Sequence, residues 1–145
     1  MDREEPVLPE SLGRAAVGLI VVTISVFVWG CTVAPSSLPG TYRVDYGYGI
    51  EQLTLHADGT YVQQFAEKNK ESRVINTGRW ELERRGFWDG DLLNLFEPVI
   101  VDVFGKPSDL RPRPGLWALN IKKTWSGQPQ LSINEDRGLA FDRMK

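Results

Sequence analysis

One histidine and one cysteine are the only side chains of their kind in this 145-residue chain, and that scarcity bounds its chemistry. Cys31 has no partner for an intrachain disulfide. With His56 as the sole imidazole, multi-histidine metal sites and a structural zinc site are not expected. Calcium takes carboxylate and carbonyl oxygens. The close acidic pairs in loops are Asp89-Gly90-Asp91 and Glu135-Asp136, neither spaced like a calcium loop, and they read as solvated turns. Glu81 and Glu83 alternate with Trp80 and Leu82, so their Cβ atoms share one strand face roughly 7 Å apart. That describes a charged outer face, not two acids on opposite sides of a cleft, as glycoside cleavage requires. No G-x-S-x-G elbow occurs, and no serine sits in an activating context. His56 lies out of phase with Leu53 and Leu55 and reads as a solvent-facing residue at a strand end. The residues therefore offer no catalytic, cofactor or metal site, and an enzyme is not expected.

Cys31 has another context. It closes Ala15–Cys31 (AAVGLIVVTISVFVWGC), 17 residues without a charge, directly after Arg14. As a helix the run covers about 26 Å at ~1.5 Å per residue. That is just short of the ~20 residues that cross a bilayer, and longer than the ~7–15 apolar residues of a secretory signal. Length alone leaves a cleaved signal or an uncleaved anchor helix. A lone cysteine is ordinarily a small buried hydrophobe, but this one sits beside glycine at the end of a membrane-type run. The four residues Val28-Trp29-Gly30-Cys31 resemble the processing box of bacterial lipoprotein precursors. By that resemblance residues 1–30 are a signal peptide and Cys31 carries a diacylglyceryl group on sulfur as the new first residue. Two or three acyl chains, at ~0.8 kcal/mol per buried methylene, would hold the domain on a bilayer. Thr32 after the cysteine implies outer-membrane sorting in a two-membrane cell. With either anchor, Arg14 stays inside and the rest of the chain lies outside the cytoplasm.

From Cys31 onward the chain has 115 residues, enough for one domain with its own core, with 15 basic and 15 acidic side chains. A net charge of zero is poor footing for nucleic acid, which needs clustered positive charge. Five Trp, six Phe and four Tyr in the whole chain supply apolar bulk for a small core.

Thr32–Pro39 (TVAPSSLP) is polar and proline-bearing and reads as a tether, so the expected organisation is 1–30 signal or anchor, 31–39 lipidated cysteine and tether, 40–145 β-domain. From Gly40 onward, short alternating runs are separated by turn residues, the pattern of an antiparallel all-β fold. Ile50–Phe65 is the clearest hairpin: Leu53 and Leu55 alternate with polar residues, Asp58-Gly59 turns the chain, and Tyr61 and Phe65 share a face on the return. Val74–Leu82 follows with Trp80 and Leu82 inward. Leu92–Val103 contains a strand broken near Pro98. Gly105–Gly115 holds three prolines and reads as a surface loop, with room for a helical turn near Pro107–Leu110. Its Asp109–Pro114 (DLRPRP) is stiff enough to dock a partner. Leu116–Lys123, Gln130–Asn134 and Leu139–Met144 are three closing strands. Phe87, Trp88 and Trp125, in or beside turns, read as closing the ends of the core or lining a barrel mouth.

Three segments carry a second resemblance: Leu38-Pro39-Gly40-Thr41-Tyr42, then Leu53-Thr54-Leu55-His56-Ala57-Asp58-Gly59-Thr60-Tyr61, then Gly78-Arg79-Trp80-Glu81-Leu82. They resemble the small lipocalin-like β-domains of bacterial lipoproteins. The fold expected is all-β: one antiparallel meander of seven or eight strands, as a small barrel or a curled open sheet, after an N-terminal hydrophobic signal or anchor helix. The function expected is that of a membrane-tethered envelope lipoprotein, a non-enzymatic module that docks an envelope protein. The alternative is a carrier or sensor of a small apolar ligand, lined by Tyr61, Phe65, Trp80 and Trp117.

Overall fold

Alternation and turn chemistry produce eight strands. They are β1 (Gly40–Asp45), β2 (Gly49–Leu55), β3 (Thr60–Glu67), β4 (Arg73–Glu83), β5 (Leu92–Phe96), β6 (Leu116–Lys123), β7 (Pro129–Asn134) and β8 (Leu139–Arg143). The computed structural model describes residues 33–86, 89–102 and 110–145. The chain divides into two compact units, Met1–Thr32 and Val33–Lys145, and the first lies outside the described residues. Among the described residues no helix is long and apolar enough to cross a membrane.

Every strand pairs antiparallel with the next, and β8 returns to β1 through Tyr42↔Arg143 and Arg43↔Asp142. The sheet is a closed barrel, which decides between the two architectures the sequence allowed. Closure removes most of the sheet edge that would otherwise invite aggregation, the Arg73–Arg79 part of β4 excepted. The β2–β3 hairpin has the expected turn, with Gly59 at φ 85° and His56 bonded across it to Thr60. β2 stops at Leu55, so His56 belongs to the turn and not to the strand end.

The inward faces build the core. Tyr42, Leu53, Leu55, Tyr61, Leu93, Leu95, Leu119, Leu131 and Phe141 are each at most 2% exposed. One end of the barrel is closed by the segment before β1. Residues 33–39 were expected to be a free tether, but from Val33 onward they lie on the fold. A 3₁₀ turn spans Pro35–Ser37, and Val33 and Leu38 are buried. Arg143 holds this segment, donating to the carbonyls of Ser37 and Pro39 (2.7 Å for Pro39) with its guanidinium over the Tyr42 ring. Tyr42 in turn donates to the Leu38 carbonyl at 2.6 Å.

β5 ends at Phe96 because the next residue, Glu97, adopts φ 53°. Residues 97–102 then cross the other end of the barrel as a strap, with Pro98, Val99 and Val101 buried and one bridge, Val99↔Pro112, to the returning loop. Phe87, Trp88 and all of Pro107–Leu110 except Leu110 lie outside the described residues. Trp125 is fully exposed and closes nothing.

Candidate functional site: a buried carboxylate beneath the strap

The inward face of β2 reads Gly49, Glu51, Leu53, Leu55, so strand geometry places a carboxylate inside the barrel. Glu51 has no exposed surface. Its Oε2 accepts from the Tyr46 hydroxyl and its Oε1 from Gln63 Nε2, each at 2.5 Å. Burial pushes the Glu51 pKa up to about 7, against the pull of those two donors. Next to the carboxylate, burial raises the Tyr46 phenol well above its ordinary value, and the Glu51 charge adds to the shift.

Gln63 does two jobs. Its amide also grips the strap, Nε2 donating to the Val99 carbonyl at 2.6 Å while Oε1 accepts from the Val99 amide at 2.9 Å. Asn76, directly opposite Gln63 on β4, donates to the Glu97 carbonyl at 3.0 Å and lies within reach of Tyr61 Oη and Gln63 Oε1. Tyr61 donates to the Phe96 carbonyl at 2.9 Å, and Tyr48 to that of Asp102. Tyr46, Tyr48 and Phe65 stack around the cluster with ring centroids 6.0–6.4 Å apart.

This arrangement stores a proton-binding group and fastens a strap. The titratable group bonded to Glu51 is the Tyr46 phenol, which burial and the neighbouring carboxylate hold in its protonated form. Among the described residues no group of acids, histidine or cysteine is placed to hold a metal. His56 sits in the exposed turn at the opposite end, its carbonyl accepting from Trp80 Nε1 at 3.0 Å. Several acids outside the barrel are engaged by cations: Glu81 by Arg79, Glu83 by Arg85, Asp91 by Arg84 and Glu135 by Lys122.

Comparison of the chain with protein-family models, characterised proteins and solved structures gives no match.

The four residues expected to line a ligand chamber do not act together. Tyr61 is buried in the core cluster, with Trp80 and Trp117 packed against it. Trp117 meets the Phe141 edge at 6.3 Å. Phe65 stands apart, with Tyr46 and Tyr48 at the polar end. Cys31 lies outside the described residues. Sequence reasoning missed Glu51, Gln63 and Asn76. A signal was available for the first, because Glu51 falls in phase with Leu53 and Leu55.

The exterior carries a groove of about 520 Å³ lined by Gly78, Arg79, Glu81, Phe96, Glu97, Gly115 and Leu116. It exists because β4 and β5 diverge. β4 pairs with β3 from Arg73 to Arg79, but with β5 only from Trp80 to Glu83. Among the described residues the Arg73–Arg79 edge carries no second ladder. Leu116, 56% exposed, floors one side.

Proposed function

We propose that this chain is a membrane-tethered cell-envelope lipoprotein, anchored through Cys31, whose β-barrel works as a non-enzymatic docking module on its outer surface. The anchoring half rests on the uncharged run Ala15–Cys31 and the box Val28-Trp29-Gly30-Cys31. The docking half rests on one observation: ten buried apolar side chains, Tyr61 among them, pack into one cluster inside the barrel, and Leu38, Val99 and Val101 are buried as well. With those side chains committed to packing, the outer surface is the face on which a partner docks. The groove beside the Arg73–Arg79 edge suits an extended segment of a partner protein. Such a segment pairs its backbone with the unladdered strand, and Leu116 offers an apolar contact. The carrier reading has less support, because Tyr61, Trp80 and Trp117 are consumed by packing.

Intact mass of the membrane-extracted protein tests the anchor. A chain starting at Cys31 with added acyl mass is expected, and an unmodified full-length mass overturns lipidation. Cys31→Ala releases a lipidated domain and leaves a helix-anchored one in place. For docking, a photo-crosslinking amino acid at Leu116 in native membranes should yield a discrete polypeptide adduct that one at Thr54 does not. Equal yields from both positions overturn the groove.

A further inference from the structure

The strands alternate in direction, so the connections sort to two ends. One end collects the chain entry (residues 33–39), the β2–β3 turn, the β4–β5 connection, the β6–β7 turn and the C-terminus. The strap, the buried carboxylate and the β7–β8 turn occupy the other. The entry end carries Trp125, whose relative exposure is 108%. An indole wholly in water is unusual, because its large apolar body normally finds cover. Nor is it on a loose loop. The Thr124–Gln128 turn is closed by Thr124 N to Gln128 O at 2.9 Å, Gly127 N to Thr124 O at 2.8 Å, and a 2.8 Å contact between the Thr124 and Ser126 hydroxyls.

A second observation comes from chain geometry. Val33 is buried, and its carbonyl accepts from Arg84 Nη2 at 2.9 Å. Arg84 pairs with Asp91, whose carbonyl accepts from the amide of Ile121 on β6 at 3.0 Å, four residues before Trp125 in the turn that follows. Val33 is thus tied to the strand that leads to Trp125. From Val33 back to Cys31 are two residues, which span at most about 7 Å. An eight-residue strand such as β6 is about 26 Å long. A membrane attachment at Cys31 therefore reaches the entry end and cannot reach the strap end.

We infer that the entry end of the barrel rests on the lipid bilayer, with Trp125 seated among the headgroups, while the strap end and its polar cluster face away. The occupant is lipid because tryptophan favours the membrane–water interface, and the attachment point fixes which end comes near it. This rests on the anchored reading above, and it holds equally for an acylated Cys31 or an apolar helix ending there. The outward groove partner and the inward lipid then occupy different faces, so one does not displace the other.

The test uses the full chain with its own anchor, reconstituted in protein-free vesicles of phosphatidylcholine brominated on its acyl chains. Flotation reports attachment, and tryptophan emission reports contact. Quenching is expected in the wild type, and the component due to Trp125 should vanish in Trp125→Phe; any contribution from Trp29 is common to both and cancels in the difference. The double variant Trp125→Phe, Asp136→Trp moves the indole to the β7–β8 turn, where no quenching of the new residue is expected. Both sites are exposed, so the barrel should keep its thermal midpoint. A chain that floats while Trp125→Phe leaves the quenched fraction unchanged overturns the docking and spares the anchor. A chain that does not float overturns both. If Trp125 emission shifts to the blue in native membranes but is not quenched in the vesicles, a protein covers it, and the lipid assignment falls.

Discussion

Replacing Glu51 with glutamine should remove a pH dependence that the wild-type barrel carries between about pH 4.5 and 7. Burial raises the Glu51 carboxyl from 4.5 to about 7, with the donors Tyr46 and Gln63 opposing. At about 1.4 kcal/mol per pH unit of separation, ionising this group costs the folded state about 3 kcal/mol. The folded-state pKa lies above the unfolded one, so the native protein holds more protons between pH 4.5 and 7. Stability is full below about 4.5, falls as pH rises through about 7, and is flat beyond. The figure is an upper bound, because any opening of the strap admits water and lowers the cost. Asp45, Asp58 and Glu83 have lowered pKa values, so their contributions fade only on acidification below the ordinary carboxylate range, outside this window.

Glutamine keeps the shape and the hydrogen bonds. Its carbonyl accepts from Gln63, and its amide donates to the Tyr46 oxygen. Urea denaturation of the full chain in mild detergent at pH 5, 6, 7 and 8, followed by circular dichroism, should show wild-type stability falling by up to about 3 kcal/mol across the series. Glu51→Gln should stay level, matching wild type at pH 5 and exceeding it at pH 8. A wild-type profile that is flat or rises from pH 5 to 8 refutes the reasoning. So does a Glu51→Gln profile that falls in parallel with wild type.

Three further outcomes follow from packing. Arg143→Met deletes two charge-assisted hydrogen bonds to the Ser37 and Pro39 carbonyls and the contact with Tyr42; a loss of about 2–4 kcal/mol is expected from the urea midpoint, with protease sensitivity appearing at residues 33–39. Arg143→Lys should recover less than half, because it lacks the planar fork. Gly78→Ala places a Cβ 2.6 Å from both the Phe96 carbonyl oxygen and the Tyr61 ring, which should cost about 1–3 kcal/mol in the same assay. Glu97→Gly relieves the left-handed backbone at φ 53° and should raise the urea midpoint, the relief of about 1 kcal/mol exceeding the entropy glycine adds to the unfolded chain.

Most strands were legible because alternation and turn residues act locally. Leu53, Leu55, Asp58, Gly59 and Tyr61 place a hairpin with no knowledge of the rest of the chain. Closure was not legible, because it depends on Tyr42 meeting Arg143, about a hundred residues later. The same long reach misled the reading of residues 33–39. A polar, proline-bearing stretch looks free until a guanidinium from the last strand takes two of its carbonyls. Glu51 was overlooked for a different reason. A charged residue in an inward phase was passed over because charge normally marks the outer face, so the strand was credited with two inward leucines and its carboxylate was left unread.

Why the barrel tolerates a charged group inside follows from the unequal lengths of β4 and β5. β4 has eleven residues and β5 five, so β5 cannot cover the Arg73–Arg79 half of its neighbour. The chain crosses the opening instead as the strap, whose irregular backbone is buried and has no regular ladder to satisfy it. Buried backbone groups must still be paired. The inward side chains do this: Tyr61 takes the Phe96 carbonyl, Asn76 that of Glu97, Gln63 both polar groups of Val99, and Tyr48 the carbonyl of Asp102. An apolar lining at those positions would leave several buried carbonyls unbonded, at about 1–3 kcal/mol each. Gln63 can face the strap only if its own amide is held in one orientation, and the Glu51 carboxylate, accepting from Nε2, fixes which end of that amide is the donor. The buried acid is therefore the far end of a hydrogen-bond chain whose near end is the strap. Its cost at neutral pH is borne because losing Gln63's orientation would release Val99 as well.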